Sequence, residues 1–156
     1  MRFGIDEKRY LLQKAAHEGR LYVVRRALTG GANVHYDADQ DLMRASANGH
    51  LEVVTLLVGH GASIHTRGDE AFARSSGLGR LEVVKFLLEQ EFDIHAKDNK
   101  ALVSASQNGH SEEAKFLLEH GAKIHAWADA AFVGASGTGS LGVAKFLLNQ
   151  GADIDA

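Results

Sequence analysis

The 156-residue chain contains no cysteine and no proline. Without cysteine it has no disulfide, no thiolate nucleophile and no sulfur ligand for a metal. Such a chain suits a reducing compartment, and a cytoplasmic location is expected on that ground. An excess of one charge is also missing: 17 Lys and Arg face 20 Asp and Glu, for a formal net charge of −3. Nucleic-acid binding normally draws on a clustered basic surface, so no nucleic acid is expected as partner. The acidity is too slight to signal disorder. No run approaches the roughly 18 apolar residues of a membrane span, and no membrane is expected as partner. The opening MRFGIDEKRY lacks the apolar stretch of a signal peptide.

A chain without proline must end its helices by other means, and its 17 glycines are the obvious device. They are regularly placed. A pair of small residues recurs at Ala15-Ala16, Ala45-Ser46, Ser75-Ser76, Ala105-Ser106 and Ala135-Ser136, a period of 30. Glycine follows at 19, 49, 79, 109 and 139, and a branched apolar residue at Val34, Ile64, Ile94, Ile124 and Ile154. No insertion breaks the register. One domain of five repeats is expected over 1–156, with repeats near 1–37, 38–67, 68–97, 98–127 and 128–156.

Each repeat predicts two short helices. In the second repeat the first covers roughly Asp41 to Asn48, with Leu42, Ala45 and Ser46 on one buried stripe. Small residues there allow close approach of neighbours. The second runs roughly Leu51 to Val58, apolar nearly all round at Val53, Val54, Leu56, Leu57 and Val58, which predicts burial between neighbours. A polar connector from Ser63 to Asp69 leads onward. Helices this short lie below the roughly 12–15 residues at which an isolated helix becomes marginal in water. Stability must therefore come from stacking repeat on repeat.

The string Asn48-Gly49-His50-Leu51-Glu52-Val53-Val54, continued by Leu56-Leu57, Gly61-Ala62 and Ile64-His65, resembles the ankyrin repeat, and five units match in register. The resemblance implies an all-α fold, an ankyrin-type helix-turn-helix solenoid of five stacked repeats that binds a protein partner by its concave side. Two features depart from the family. Its Thr-Pro-Leu-His opening is missing, replaced by Gln40-Asp41-Leu42-Met43, Glu70-Ala71-Phe72-Ala73 and Lys100-Ala101-Leu102-Val103. The period is 30 rather than the usual roughly 33. The missing residues fall between Gly61 and Phe72, which predicts shortened β-hairpin fingers and almost no β-structure. The 30-residue pattern is similar to the ankyrin arrays of giant amoebal DNA viruses.

Several patterns suggest chemistry and yield to plainer readings. Gly137-Thr138-Gly139-Ser140-Leu141-Gly142 has the spacing of a dinucleotide loop but stands between two helices, where no strand precedes it. His35, His65, His95 and His125 form a ladder at period 30. Its rungs should lie about 8–10 Å apart, while one metal needs two ring nitrogens at about 2 Å. The ladder reads as connector residues bonded to backbone, with modest pH sensitivity as the alternative. Asp37, Asp39 and Asp41 read as a solvated connector, since they have no nucleophile or cradle beside them and the twelfth position of a calcium loop from Asp37 is Asn48 rather than Glu. No acid, base and nucleophile converge, so no catalytic residue, metal or cofactor is expected and the chain is not read as an enzyme.

Two features point to partners. The variable position of the first helix reads Lys14, Arg44, Arg74, Ser104 and Gly134. In ankyrins this column faces the concave side, so its three cations are either solvated surface or a grip for an acidic protein. Trp127, the sole tryptophan, occupies a column otherwise filled by Asp37, Arg67 and Lys97. It is either a binding anchor or folded back on its own repeat. Glu91-Phe92 replaces the usual Gly-Ala pair, and a local distortion is expected there. Finally, the ends differ. Arg26-Ala27 stands where later repeats carry Leu56-Leu57, Phe86-Leu87, Phe116-Leu117 and Phe146-Leu147, as in a capping unit. Phe146, Leu147 and Leu148 keep an internal pattern at the other end. They are expected to contact a second copy, giving a homodimer, or to be covered by further repeats. A self-assembling structural protein is therefore the alternative to a binding scaffold.

Overall fold

A computed structural model of the chain describes residues 4–35, 39–65, 68–90, 96–122 and 124–151, with backbone alone at 5, 68–69, 96–99 and 124–129. Among the described residues every regular element is a helix, and no strand occurs. The order is α1 (Ile5–Glu18), α2 (Leu21–Thr29), α3 (Gln40–Asn48), α4 (Leu51–Gly59), α5 (Gly68–Gly77), α6 (Leu81–Glu89), α7 (Ala96–Gln107), α8 (Ser111–Glu119), α9 (Ile124–Gly137) and α10 (Leu141–Asn149). Odd-numbered helices are the first of each repeat and even-numbered ones the second. The fold is a helical ankyrin-type array, as the resemblance implied.

The chain divides into two compact units, Met1–Ala71 and Phe72–Ala156, with the division inside α5. In the first unit α1 lies against α2 and α3, α3 against α4, and α2 against α4. In the second unit α7 lies against α8 and α9, α9 against α10, and α8 against both α6 and α10. Within each unit first helices therefore neighbour first helices, and second helices neighbour second helices.

Glycine ends the helices in the manner the missing proline demands. Gly19 has φ 71°, donates to the Ala16 carbonyl, and lets Arg20 N–H reach the Ala15 carbonyl at 2.9 Å. The same wrap recurs from His50 to Ala45, Arg80 to Ser75, His110 to Ala105 and Ser140 to Ala135. It satisfies carbonyls that a helix terminus otherwise leaves unpaired. Two residues separate the first helix from the second in the first two repeats, and three in the others.

The small pairs are buried as expected: Ala15, Ala16, Ala45, Ser46, Ser75, Ser76, Ala105, Ser106 and Ala135 are enclosed, while Ser136 is exposed. Ser75 and Ser76 donate their buried hydroxyls to the Phe72 carbonyl, at 3.0 and 2.9 Å, so these polar groups sit inside without an unmet bond. The second helices bury a narrower stripe than their composition suggested. Val53, Val54 and Leu57 are enclosed, whereas Leu56 and Val58 are half-buried. Phe86, Phe116 and Phe146 in the Leu56 column are half-buried too. An element packed on the first helix and on neighbouring second helices covers one side and its flanks, and the remaining arc meets water.

Two first helices reach further back than the connector pattern predicted. α7 has 12 residues and α9 has 14, against 9 in α3 and 10 in α5. Where α5 begins, Gly68 stands at its first position, and α3 is preceded by Asp39 in the left-handed region at φ 58°. The first turns of α7 and α9 read Ala96-Lys97-Asp98-Asn99 and Ile124-His125-Ala126-Trp127, with neither Gly nor Pro to interrupt a helix. The distortion expected at Glu91-Phe92 lies outside the described residues.

Candidate functional site

Lys14 and Arg44 are brought together. Both stand on first helices of the first unit, and with Tyr10, Gln13 and His17 they line an open groove of about 330 Å³. Lys14 is exposed, Arg44 is half-buried, and no carboxylate lines the groove. The Lys14 ammonium sits 5.9 Å from the centre of the Tyr10 ring, within reach of a cation–π contact. Arg74 is exposed on α5, but it already has an interaction within the chain. Ser104 and Gly134 continue the column without charge. Trp127 lies in α9, on a helix rather than the connector expected for its column, and its side chain lies outside the described residues.

His17 belongs to this groove, and the column of cations gave no hint of it. Asn48 Nδ2 donates to the His17 carbonyl at 3.1 Å and stands 3.0 Å from His17 Nδ1. An amide nitrogen only donates, so Nδ1 accepts and the ring proton sits on Nε2. His50 Nε2 lies 3.1 Å from the same carbonyl and likewise donates. The two donors cap the end of α1 from the next repeat. The His50 ring also lies directly on Gly19, where an added Cβ would come within 2.5 Å of it. Gly19 is thus needed twice, for its left-handed backbone and for space. The sequence signal was the paired recurrence of Asn-Gly-His at 48–50 and 108–110, the first of which was read as part of the ankyrin-like string. His110 covers Gly79 in the same way, with an added Cβ 2.7 Å from its ring.

The histidine ladder is visible in two of its rungs. His35 is exposed, its N–H bonds Asn33 Oδ1 at 3.0 Å, and its Nδ1 is 3.4 Å from Asp39 Oδ1. His65 is exposed and its N–H reaches Ser63 Oγ at 3.3 Å. Local backbone bonds of this kind match the connector role. His95 and the side chain of His125 lie outside the described residues, as does Asp37. Asp39 and Asp41, expected on a solvated connector, are instead buried. Asp41 occupies the first turn of α3, where a carboxylate is favoured by the exposed N–H groups. Among the described residues no group of three His, Cys, Asp or Glu is placed to hold a metal, and no helix is long and apolar enough to cross a membrane. The Gly137–Gly142 segment ends α9 and starts α10 with no strand before it.

At α10 the three apolar residues expected on an open face divide. Leu147 is fully buried within the chain, so it is not available to a second copy. It occupies the enclosed stripe that Leu57, Leu87 and Leu117 fill in other repeats. Phe146 is half-buried, with the Lys115 ammonium 5.9 Å from its ring centre. Leu148 remains 38% exposed, and Leu141 and Val133, which the column pattern did not single out, are 68% and 64% exposed.

A second groove, of about 510 Å³, lies between α2 and α4 and is lined by Leu21, Arg25, Leu51, Glu52, Thr55, Leu56, Gly59 and His60. Its charges are of both signs, unlike those of the α1–α3 groove.

Comparison with known proteins agrees with this architecture. No curated protein matches the chain. The family model for ankyrin repeats (three copies) matches residues 42–128 and again 71–156, well over half the sequence. With paired helices, Gly-stopped ends and a period of 30 beneath that match, the chain belongs to the ankyrin repeat family.

Proposed function

We propose that this chain is a non-catalytic scaffold whose first-helix side docks a protein partner carrying acidic groups. Ankyrin repeats in general serve protein–protein interaction, and here the observation that supports an acidic partner is the groove where Lys14 and Arg44 meet with no carboxylate lining it. Arg74, at the same register one repeat on, and Trp127 extend the proposed contact set. The five repeats act as one domain in this reading, in a reducing, cytoplasmic setting. The period of 30 and the missing Thr-Pro-Leu-His opening support a place among the arrays of the giant-virus type. Salt tests the electrostatics, because charge screening shortens to about 3 Å at 1 M. A captured partner should elute as salt rises, and more readily from Lys14→Ala/Arg44→Ala/Arg74→Ala. Retention unaffected by both treatments places the contact elsewhere.

The exposed Leu141, Leu148 and Val133 support a second reading, self-association through the fifth repeat. Light scattering that shows a dimer, lost in Leu141→Ser/Leu148→Ser, distinguishes it from the scaffold acting as a monomer.

A further inference from the structure

The α1–α3 groove differs from the rest of the molecule in a way that specifies what it takes. Three residues that carry strong donors line it: Lys14, Arg44 and His17. Neither Lys14 nor Arg44 makes an ion pair with a described carboxylate, whereas Arg20 pairs with Glu18, Lys85 with Glu82 and Lys115 with Glu112. The Asn48 amide holds the His17 ring proton on Nε2, so even the neutral ring offers a donor and no acceptor at that atom. Tyr10 supplies an aromatic wall, 59% exposed. The volume, about 330 Å³, is at the low end for ligand clefts, which run from about 300 to 1,000 Å³. That space suits side chains of a peptide better than a cofactor.

We infer that this groove is a carboxylate-reading subsite for an acidic peptide segment, with Lys14 and Arg44 as the charge partners, His17 as a hydrogen-bond donor and Asn48 as the residue that positions His17. The inference rests on the scaffold reading and deepens it by naming the subsite and the partner's chemistry. The chain as a whole carries a net charge of −3, so attraction of an acidic segment rests on the cations of this groove and not on the overall charge. Such a pattern selects orientation more than it adds affinity. Arg44 matches the flat fork of a carboxylate, and Lys14 adds a mobile point charge. A polynucleotide is disfavoured because two cations are too few for the many phosphate contacts its binding draws on.

The test is fluorescence anisotropy on the full chain with three labelled probes: a ten-residue polyglutamate peptide, a ten-residue polyglutamine peptide and a ten-nucleotide oligothymidylate. Binding of polyglutamate at least tenfold tighter than of either other probe is expected. Lys14→Ala/Arg44→Ala should weaken it at least tenfold. His17→Phe should weaken it severalfold, and Asn48→Leu by a similar factor, with His17→Gln restoring part of the loss. Arg25→Ala/Lys145→Ala changes net charge equally at exposed sites outside the groove and should leave binding unchanged. Circular dichroism checks that each variant is folded. Equal loss in the groove and control pairs overturns the inference, as does oligothymidylate binding as tightly as polyglutamate. Polyglutamate binding that depends on Arg74 and not on Lys14 and Arg44 overturns the subsite while leaving an acidic partner intact. Absence of any polyglutamate binding overturns the subsite's chemistry; the scaffold reading then stands or falls on its own partner and salt experiment.

Discussion

The second helices are uniform where the first helices vary. α2, α4, α6, α8 and α10 each have 9 residues, and four of them bury two residues at adjacent positions and a third three later, as in Val53, Val54 and Leu57. α2 departs only slightly, with Val24, Ala27 and Leu28 enclosed. The first helices run from 9 to 14 residues, and their variable column changes from Lys14 to Gly134. Both sets are locally helical, so propensity does not explain the contrast. The second helices are bounded closely by glycine turns and held by stacking, which leaves little freedom in length or register. The first helices end at the same glycine but begin in a connector of changing composition. Their outer side chains are free to differ, and the proposed recognition site draws on that variable set.

The largest effect should separate the uniform stripe from the variable column. Leu57→Ala and Leu117→Ala, at fully buried positions of α4 and α8, should each cost about 2–5 kcal/mol in urea unfolding. Lys14→Ala should cost less than about 0.5 kcal/mol, because an exposed side chain away from the core contributes little to stability. Similar losses at both would break the division of labour.

The glycine turns offer a sharper contrast. Gly19 and Gly139 both lie in the left-handed region, at φ 71° and 73°. A Cβ at Gly19 meets the His50 ring, while one at Gly139 meets nothing within 4 Å. Gly139→Ala should cost only the backbone strain, about 1–2 kcal/mol. Gly19→Ala should cost more, and adding His50→Ala should return part of the excess. A double variant no better than Gly19→Ala alone would show that the ring contact is not the cause.

The smallest expected effect is a gain. Glu113 is buried in α8 at the position that Val53, Val83 and Val143 fill in other repeats. Among the described residues Glu113 makes no ion pair, and enclosing a carboxyl group without one is unfavourable. Glu113→Val should raise stability by about 1 kcal/mol, read as a higher melting temperature. A lower melting temperature would mean that the glutamate makes a contact the valine column lacks.

The repeat boundaries, the glycine stops and the buried small pairs were legible because each is a local property with a fixed period. Lys14 and Arg44 were legible as a pair because column position and repeat order together fix which side chains adjoin. His17 was not, since its place depends on Asn48 reaching back 31 residues from the next repeat. Contacts between repeats are not written in either repeat alone. The backward extension of α7 and α9 escaped notice because the connector was judged by its polar composition, and Ala96-Lys97-Asp98-Asn99 lacks a residue that stops a helix. Leu147 was placed on an open face by treating the whole Phe146–Leu148 run as one surface. A helix turns about 100° per residue, so three consecutive side chains point to three different surroundings. The helix buries the middle one.

The central claim is that the first-helix side, at Lys14 and Arg44, recognises acidic protein segments. Selection of peptides from a fully randomised library on the immobilised chain tests it without presupposing a partner. Enrichment of Asp and Glu, abolished when the Lys14→Ala/Arg44→Ala chain is the target, is the predicted result. Enrichment of basic or purely apolar peptides, or acidic enrichment that survives the double substitution, would contradict it.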